Sequence, residues 1–207
     1  MRSLLLLFLS IAHLPSATVW SFNNPDWHQN PNWFNDPNFN ELYYFKPPNA
    51  DETNSAFWDR ISPSVAITRR GSSLPQRGIF NPLAETEYQR SFSPAGTAWA
   101  FLGRNGNPSD AASLIASNYT NLTFLPFEDA HGGASAGNDG TLRNIIDRPA
   151  VLHIIAEDIY LDIRFTDWAN RNQNIGVFGY VRAQAIPEPS TAFLLALAPL
   201  LMLRSRP

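Results

Sequence analysis

The chain is predicted to fold as an all-β protein, with one β-sandwich or jelly-roll-like domain over residues 49–185. Three observations predict this. Within residues 150–168 (AVLHIIAEDIYLDIRFTDW), Ile159, Leu161, Ile163 and Phe165 alternate with Tyr160, Asp162, Arg164 and Thr166, the period of a half-buried strand. The 17 prolines and 11 glycines are spread along the chain and leave no long amphipathic helix pattern. Cysteine is absent and 13% of residues are aromatic, so stability has to come from burial and not from a disulfide scaffold.

Taken in order, the chain opens with Met1-Arg2, an apolar run Leu4–Leu14 and the small-residue break Pro15-Ser16-Ala17. That run is too short to span a bilayer, and the pattern predicts a signal peptide over residues 1–17. Residues 18–48 form an arm rich in Asn, Pro and aromatics. Within it Asn24-Pro25-Asp26-Trp27, Asn30-Pro31-Asn32-Trp33 and Asp36-Pro37-Asn38-Phe39 recur with a period of six. Asn or Asp before Pro favours a turn, so the arm is expected to be a string of turns presenting rings at regular spacing. Trp27, Trp33 and Phe39 are candidates for stacking on sugar rings; the other reading is a low-complexity arm whose rings pack on the domain.

In the domain proper, Val65–Arg69, Gly78–Asn81 and Thr97–Leu102 are expected strands, with turns at 69–73 and 93–96. Leu42–Phe45 and Phe57-Trp58 are apolar islands in polar sequence. Asp110–Ala116 suggests one or two helical turns capped by Asp110. Asn121–Phe127 is expected as an edge strand because of Pro126. Val151–Ala156 and the alternating run form a hairpin, with Glu157-Asp158 as a two-residue loop. That register sets Ala156 opposite Ile159, Ile154 opposite Leu161 and Leu152 opposite Ile163 on the core face, with Ile155 opposite Tyr160, His153 opposite Asp162 and Val151 opposite Arg164 on the other. Val177–Arg182 is the expected closing strand.

The last stretch, Ile186–Pro207, reads IPEPSTAFLLALAPLLMLRSRP. Pro187-Glu188-Pro189 precedes an apolar run from Thr191 to Leu203, followed by Arg204 and Arg206. The run falls short of the roughly 20 residues of a spanning helix, and Pro199 interrupts it. The tail resembles the PEP-CTERM sorting tail of exported bacterial proteins, with the same three features in the same order. The resemblance implies recognition by an exosortase, a cysteine protease-like transpeptidase of the membrane, near Pro187–Pro189. It also implies transient membrane contact through a hydrophobic sorting helix, and a destination at the cell envelope or extracellular matrix among exopolysaccharide and biofilm material. A second resemblance rests on LHIIAEDIYLDIRFTDWA, GVFGYVRA and FEDAHGG. These look like an uncharacterised β-rich domain of exported bacterial proteins with various sorting tails, spanning about residues 61–183.

Charge and motifs narrow the chemistry. Residues 18–185 carry 12 Lys and Arg against 17 Asp and Glu, an acidic balance that disfavours a nucleic-acid partner. Neither an H-E-x-x-H pair, a P-loop nor a dinucleotide fingerprint occurs. A serine triad needs a His beside an Asp; His153 opposite Asp162 offers that pair, but no serine announces itself as its partner. His131, His153 and Asp162 have the ligand types of a transition-metal site. Glu128, Asp129 and Asp139, around a Gly-rich loop, are candidate calcium ligands, although the loop lacks the D-x-D-x-D-G pattern; otherwise no cofactor is expected. The expectation is an exported, non-enzymatic envelope or matrix protein associated with polysaccharide. The alternatives are a secreted polysaccharide hydrolase using Glu128 and Asp129, and a purely structural surface protein.

Overall fold

The alternating run forms a ten-residue strand, Ile159–Trp168, around which the larger of two sheets is built. The computed structural model describes residues 17–22, 41–70, 78–89, 92–109, 116–132, 145–169 and 176–184. In chain order the strands are β1 (Thr18–Trp20), β2 (Glu41–Lys46), β3 (Asp59–Arg60), β4 (Ala66–Arg69), β5 (Ile79–Phe80), β6 (Thr97–Phe101), β7 (Pro149–Ile154), β8 (Ile159–Trp168) and β9 (Phe178–Ala183). Among the described residues helix is confined to short segments of up to six residues, among them α1 (Phe127–Ala130). The protein is all-β, as its composition and periodicity predict.

The larger sheet has the order β2-β9-β8-β7-β6, with β1 added in parallel to the first half of β8 at Thr18↔Ile159 and Trp20↔Leu161. The smaller sheet is β3-β4-β5. Apart from β1 with β8, the strand pairs are antiparallel. Both ends of the 18–48 arm are thus strands of the larger sheet. Trp27, Trp33 and Phe39, the expected signal segment up to residue 16, and the tail with Pro187, Glu188, Pro189, Arg204 and Arg206 lie outside the described residues.

Period two explains the core. Ile159, Leu161, Ile163 and Phe165 of β8 fall on one face, with Ala150, Leu152 and Ile154 of β7, Trp99 and Phe101 of β6, and Phe178 and Tyr180 of β9. Ile67 and Ile79 of the smaller sheet join the same cluster, so the two sheets share one core. Aromatic rings dominate it: Trp99 meets Phe127 edge-on at 5.0 Å, and Phe101 stacks on Phe165 at 6.5 Å. Each such side chain removed from water contributes roughly 1.5–3 kcal/mol.

Polar ties also join the sheets. Arg182 of β9 grips Asp59 of β3 with both arms of its guanidinium, at 2.6 and 2.9 Å, and the Tyr180 hydroxyl donates to the same carboxylate at 2.7 Å. Arg69 of β4 lies 4.0 Å over the Trp168 ring and donates to the carbonyls of Val177 and Ala169. A planar fork suits both jobs, since it binds a carboxylate bidentately and lies flat on an indole.

The β7–β8 turn corrects the expected two-residue loop. Ile154 pairs with Ile159, Leu152 with Leu161 and Ala150 with Ile163, and residues 155–158 make the turn. The slip from the expected register is two residues, an even number, so every side chain keeps its predicted face. On the other face His153 sits opposite Tyr160 and Val151 opposite Asp162. Two features close the turn at this length. Asp158 adopts a left-handed φ of 50°, which Asp tolerates better than most residues. The Glu157 carboxylate accepts from the Ser62 hydroxyl at 3.0 Å, the Ser64 amide at 3.1 Å and the Ser64 hydroxyl at 2.7 Å.

Asn121–Phe127 is not an edge strand. Asn121 ends a 3-10 helix, Phe127 starts α1, and a single bridge from Leu125 to Trp99 remains of the pairing. Pro126 supplies no amide to extend that ladder. The expected helical turn at Asp110–Ala116 falls mostly outside the described residues.

Candidate functional site

α1 carries the carboxylates that the sequence singles out. Its four residues split by burial: Phe127 and Ala130 face the core, Glu128 is half-buried and Asp129 is exposed. The Phe127 amide donates to Ser93 Oγ at 2.9 Å at the start of the turn. Asn105, itself at a φ of 52°, closes the other end by donating to the carbonyls of Asp129 and Ala130 at 3.3 and 3.0 Å. The Tyr88 hydroxyl donates to Glu128 Oε1. Glu128 is therefore engaged in pinning the 78–89 segment to α1, and Asp129 points into solvent. As calcium ligands the two offer oxygens of the right kind, but Asp139 lies outside the described residues. No group of three His, Asp or Glu side chains poised for a metal occurs among the described residues.

His131 follows α1 and is 4% exposed. Its ring meets Phe127 at 5.3 Å and Phe101 at 6.2 Å, both edge-on. Neither ring nitrogen has a hydrogen-bond partner among the described residues. Burial pushes the imidazole pKa down, against the opposing pull of the Glu128 carboxylate.

His131, His153 and Asp162 are not brought together. His131 lies with the main core, whereas His153 stacks flat on Tyr160 at 4.1 Å on the opposite face of the larger sheet. His153 Nε2 is 3.1 Å from Asp158 Oδ1, so its carboxylate neighbour is in the turn and not at Asp162. Asp162 is 1% exposed; Oδ1 accepts from the Tyr119 hydroxyl at 2.8 Å and Oδ2 from the Phe22 amide at 3.0 Å. Burial pushes its pKa up to about 7, with the two hydrogen bonds pulling the other way. Asp162 thus holds the chain just after β1 onto the sheet and is closed off from solvent.

A different surface gathers residues that the sequence did not single out. On β2, Leu42, Tyr44 and Lys46 turn one way and Glu41, Tyr43 and Phe45 the other. Tyr44 packs on Phe178 and Tyr180 at 5.4 and 5.2 Å, and the buried Lys46 ammonium donates to the Ala50 carbonyl at 2.7 Å. Tyr43 and Phe45 are 56% and 44% exposed, with ring planes within 9° of parallel and centroids 6.4 Å apart. Asp167 and Thr166 of β8 adjoin them across Gly179. The one available signal was period-two spacing of the two aromatics. Apolar residues at four successive positions, Leu42 to Phe45, masked it.

No family model matches the chain, and neither a curated protein nor a solved structure matches it.

The structure thus separates the predicted residues by role. Glu128, Asp162, Glu157 and His153 are each held by a named neighbour in a contact that fixes a turn, a helix or a strand. Tyr43 and Phe45 leave about half of their surface open to solvent, 56% and 44%.

Proposed function

We propose that this is an exported, non-enzymatic protein of the cell envelope or extracellular matrix, built on a β-sandwich-like domain and associated with exopolysaccharide. The observation that carries this reading is the order of Pro187-Glu188-Pro189, the apolar run and the terminal arginines. An exosortase would cut near Pro187–Pro189 after the apolar segment has halted in the membrane, releasing or transferring the domain outside. The apolar stretch Leu4–Leu14 supplies the export signal at the other end.

Side-chain chemistry supports a binding or structural role over hydrolysis. A glycosidase needs one carboxylic acid and one carboxylate facing each other across a bond. Glu128 is occupied by the Tyr88 hydroxyl while Asp129 is exposed on the adjacent position of α1. Asp162 and Glu157 hold chain segments in place.

The test is expression of the full chain in a host with an exosortase and in the same host lacking it. Intact-mass measurement is expected to find the protein outside the cells and shortened at Pro187–Pro189 only in the first host. Recovery in both hosts with Arg204 and Arg206 still attached would overturn the reading.

A further inference from the structure

β2 ends the order of the larger sheet, pairing with β9. Phe45 pairs with Gly179 of β9, and Gly179 pairs with Asp167 of β8, so these three form one row across three strands. At that row β8 carries a bulge, where the register shifts between Phe165 and Asp167. A bulge breaks strand alternation and re-aims side chains. Here Thr166 Oγ1 and Asp167 Oδ2 come to the same spot, 3.0 and 2.9 Å from where a Cβ on Gly179 would sit. The Phe45 ring edge lies 3.2 Å from that point. Only a residue without a side chain lets ring and carboxylate close over the strand in this way. Asp167 Oδ2 accepts from the Thr166 hydroxyl at 2.9 Å and, more loosely, from the Tyr43 hydroxyl at 3.4 Å.

The result is a pair of near-parallel, half-exposed aromatic rings beside a partly exposed carboxylate and two hydroxyls. Leaving two large rings half-exposed on a terminal strand forgoes part of the stabilisation that their burial would bring. It also invites edge-to-edge pairing. A ligand with one apolar face and a rim of hydroxyls matches the surface on both counts. A pyranose ring has that form: its axial C–H bonds lie against an aromatic face while its equatorial hydroxyls reach sideways to an acceptor. The Asp167 carboxylate selects among such rings, because it accepts from hydroxyls and repels uronate or sulfate groups. The acidic balance of residues 18–185 acts in the same direction.

We propose that Tyr43, Phe45, Thr166 and Asp167 form a binding subsite for an uncharged polysaccharide chain, with the two rings stacking on successive sugars and Asp167 accepting their hydroxyls. The proposal rests on the reading that the protein associates with polysaccharide, and it moves the contact from the arm at Trp27 and Trp33 to the sheet.

Affinity electrophoresis of the full chain, in gels containing hydroxyethyl cellulose, galactomannan, dextran or alginate, tests it. Retardation is expected in at least one neutral gel and not with alginate. Tyr43→Ala and Phe45→Ala are each expected to weaken that binding by about tenfold, the loss that one stacked face implies. Tyr43→Phe keeps the ring and is expected to keep most of the binding. Asp167→Asn is expected to weaken neutral binding and relax the exclusion of alginate. Both rings are exposed, so unchanged melting temperatures will certify that the variants fold. Retardation of the wild type that survives Tyr43→Ala and Phe45→Ala, yet vanishes on Trp27→Ala with Trp33→Ala, would overturn the subsite and leave polysaccharide association standing. Retardation by alginate equal to that by the neutral polymers would overturn the assigned selectivity. A wild-type chain that no gel retards would overturn the association itself, and the subsite with it.

Discussion

The Tyr119 hydroxyl donates to Asp162 Oδ1 at 2.8 Å on the face of the larger sheet away from the main core, and the Phe22 amide holds the other carboxylate oxygen. The carboxyl group is fully enclosed, and burial has moved its pKa up to about 7.

A pH dependence follows from that shift. The folded-state pKa of Asp162 lies above the unfolded value of about 3.9, so folding favours the protonated form. Its contribution to stability is fully present below about pH 4. It is lost as pH rises through about 7. His131 has the opposite sign, because its depressed pKa favours the neutral imidazole and costs stability as pH falls below about 6.5. Melting curves of wild type and Asp162→Asn between pH 4 and pH 8 separate the two. The wild-type advantage over the variant is expected to shrink steadily with rising pH. A constant difference would mean that Asp162 does not titrate in this window.

The Asp59–Arg182 pair is predicted to be worth more as a pair than either half alone. Both side chains are about 5% exposed, and removing one leaves a buried charge without its counter-ion. Arg182→Ala and Asp59→Ala are each expected to cost about 3–5 kcal/mol in urea unfolding. Arg182→Met combined with Asp59→Leu is expected to recover much of that loss. Costs that simply add in the double variant would show that the pair is not coupled.

His131 gives a prediction of opposite direction. With aromatic neighbours at 5.3 and 6.2 Å and two nitrogens unpartnered among the described residues, the imidazole packs on rings and gains no side-chain hydrogen bond there. His131→Phe is expected to stabilise the fold by about 1 kcal/mol, through loss of the desolvation cost of an unpaired polar group. It should also remove the acid-side fall in stability below pH 6.5. Clear destabilisation by His131→Phe would show that the imidazole has a partner that matters to the fold.

Local periodicity was the part of the fold legible in the sequence. β8 alternates because one face packs apolar side chains against Leu152, Ile154 and Phe101 while the other carries Tyr160, Asp162 and Arg164, and that contrast in side-chain type is written in consecutive residues; that the second face is buried as well is not. β4, β5 and β6 were visible for the same reason. The turn length between β7 and β8 was not, because Glu157 closes it through Ser62 and Ser64, more than 90 residues away in sequence. Asp59 and Arg182 are 123 residues apart, and nothing local marks either as a buried charge. β2 was hidden by having aromatics on both faces, where a two-sided strand shows no contrast. The candidate sugar surface inherits that concealment, since it needs Tyr43 and Phe45 from β2 to meet Asp167 from a bulge in β8 across Gly179.

A glycan array probed with the full chain, once with calcium and once with chelator, tests the central claim most directly. The account predicts selective binding to uncharged pyranose chains, unchanged by the chelator because stacking on Tyr43 and Phe45 needs no metal. Silence across the array in both conditions would contradict it.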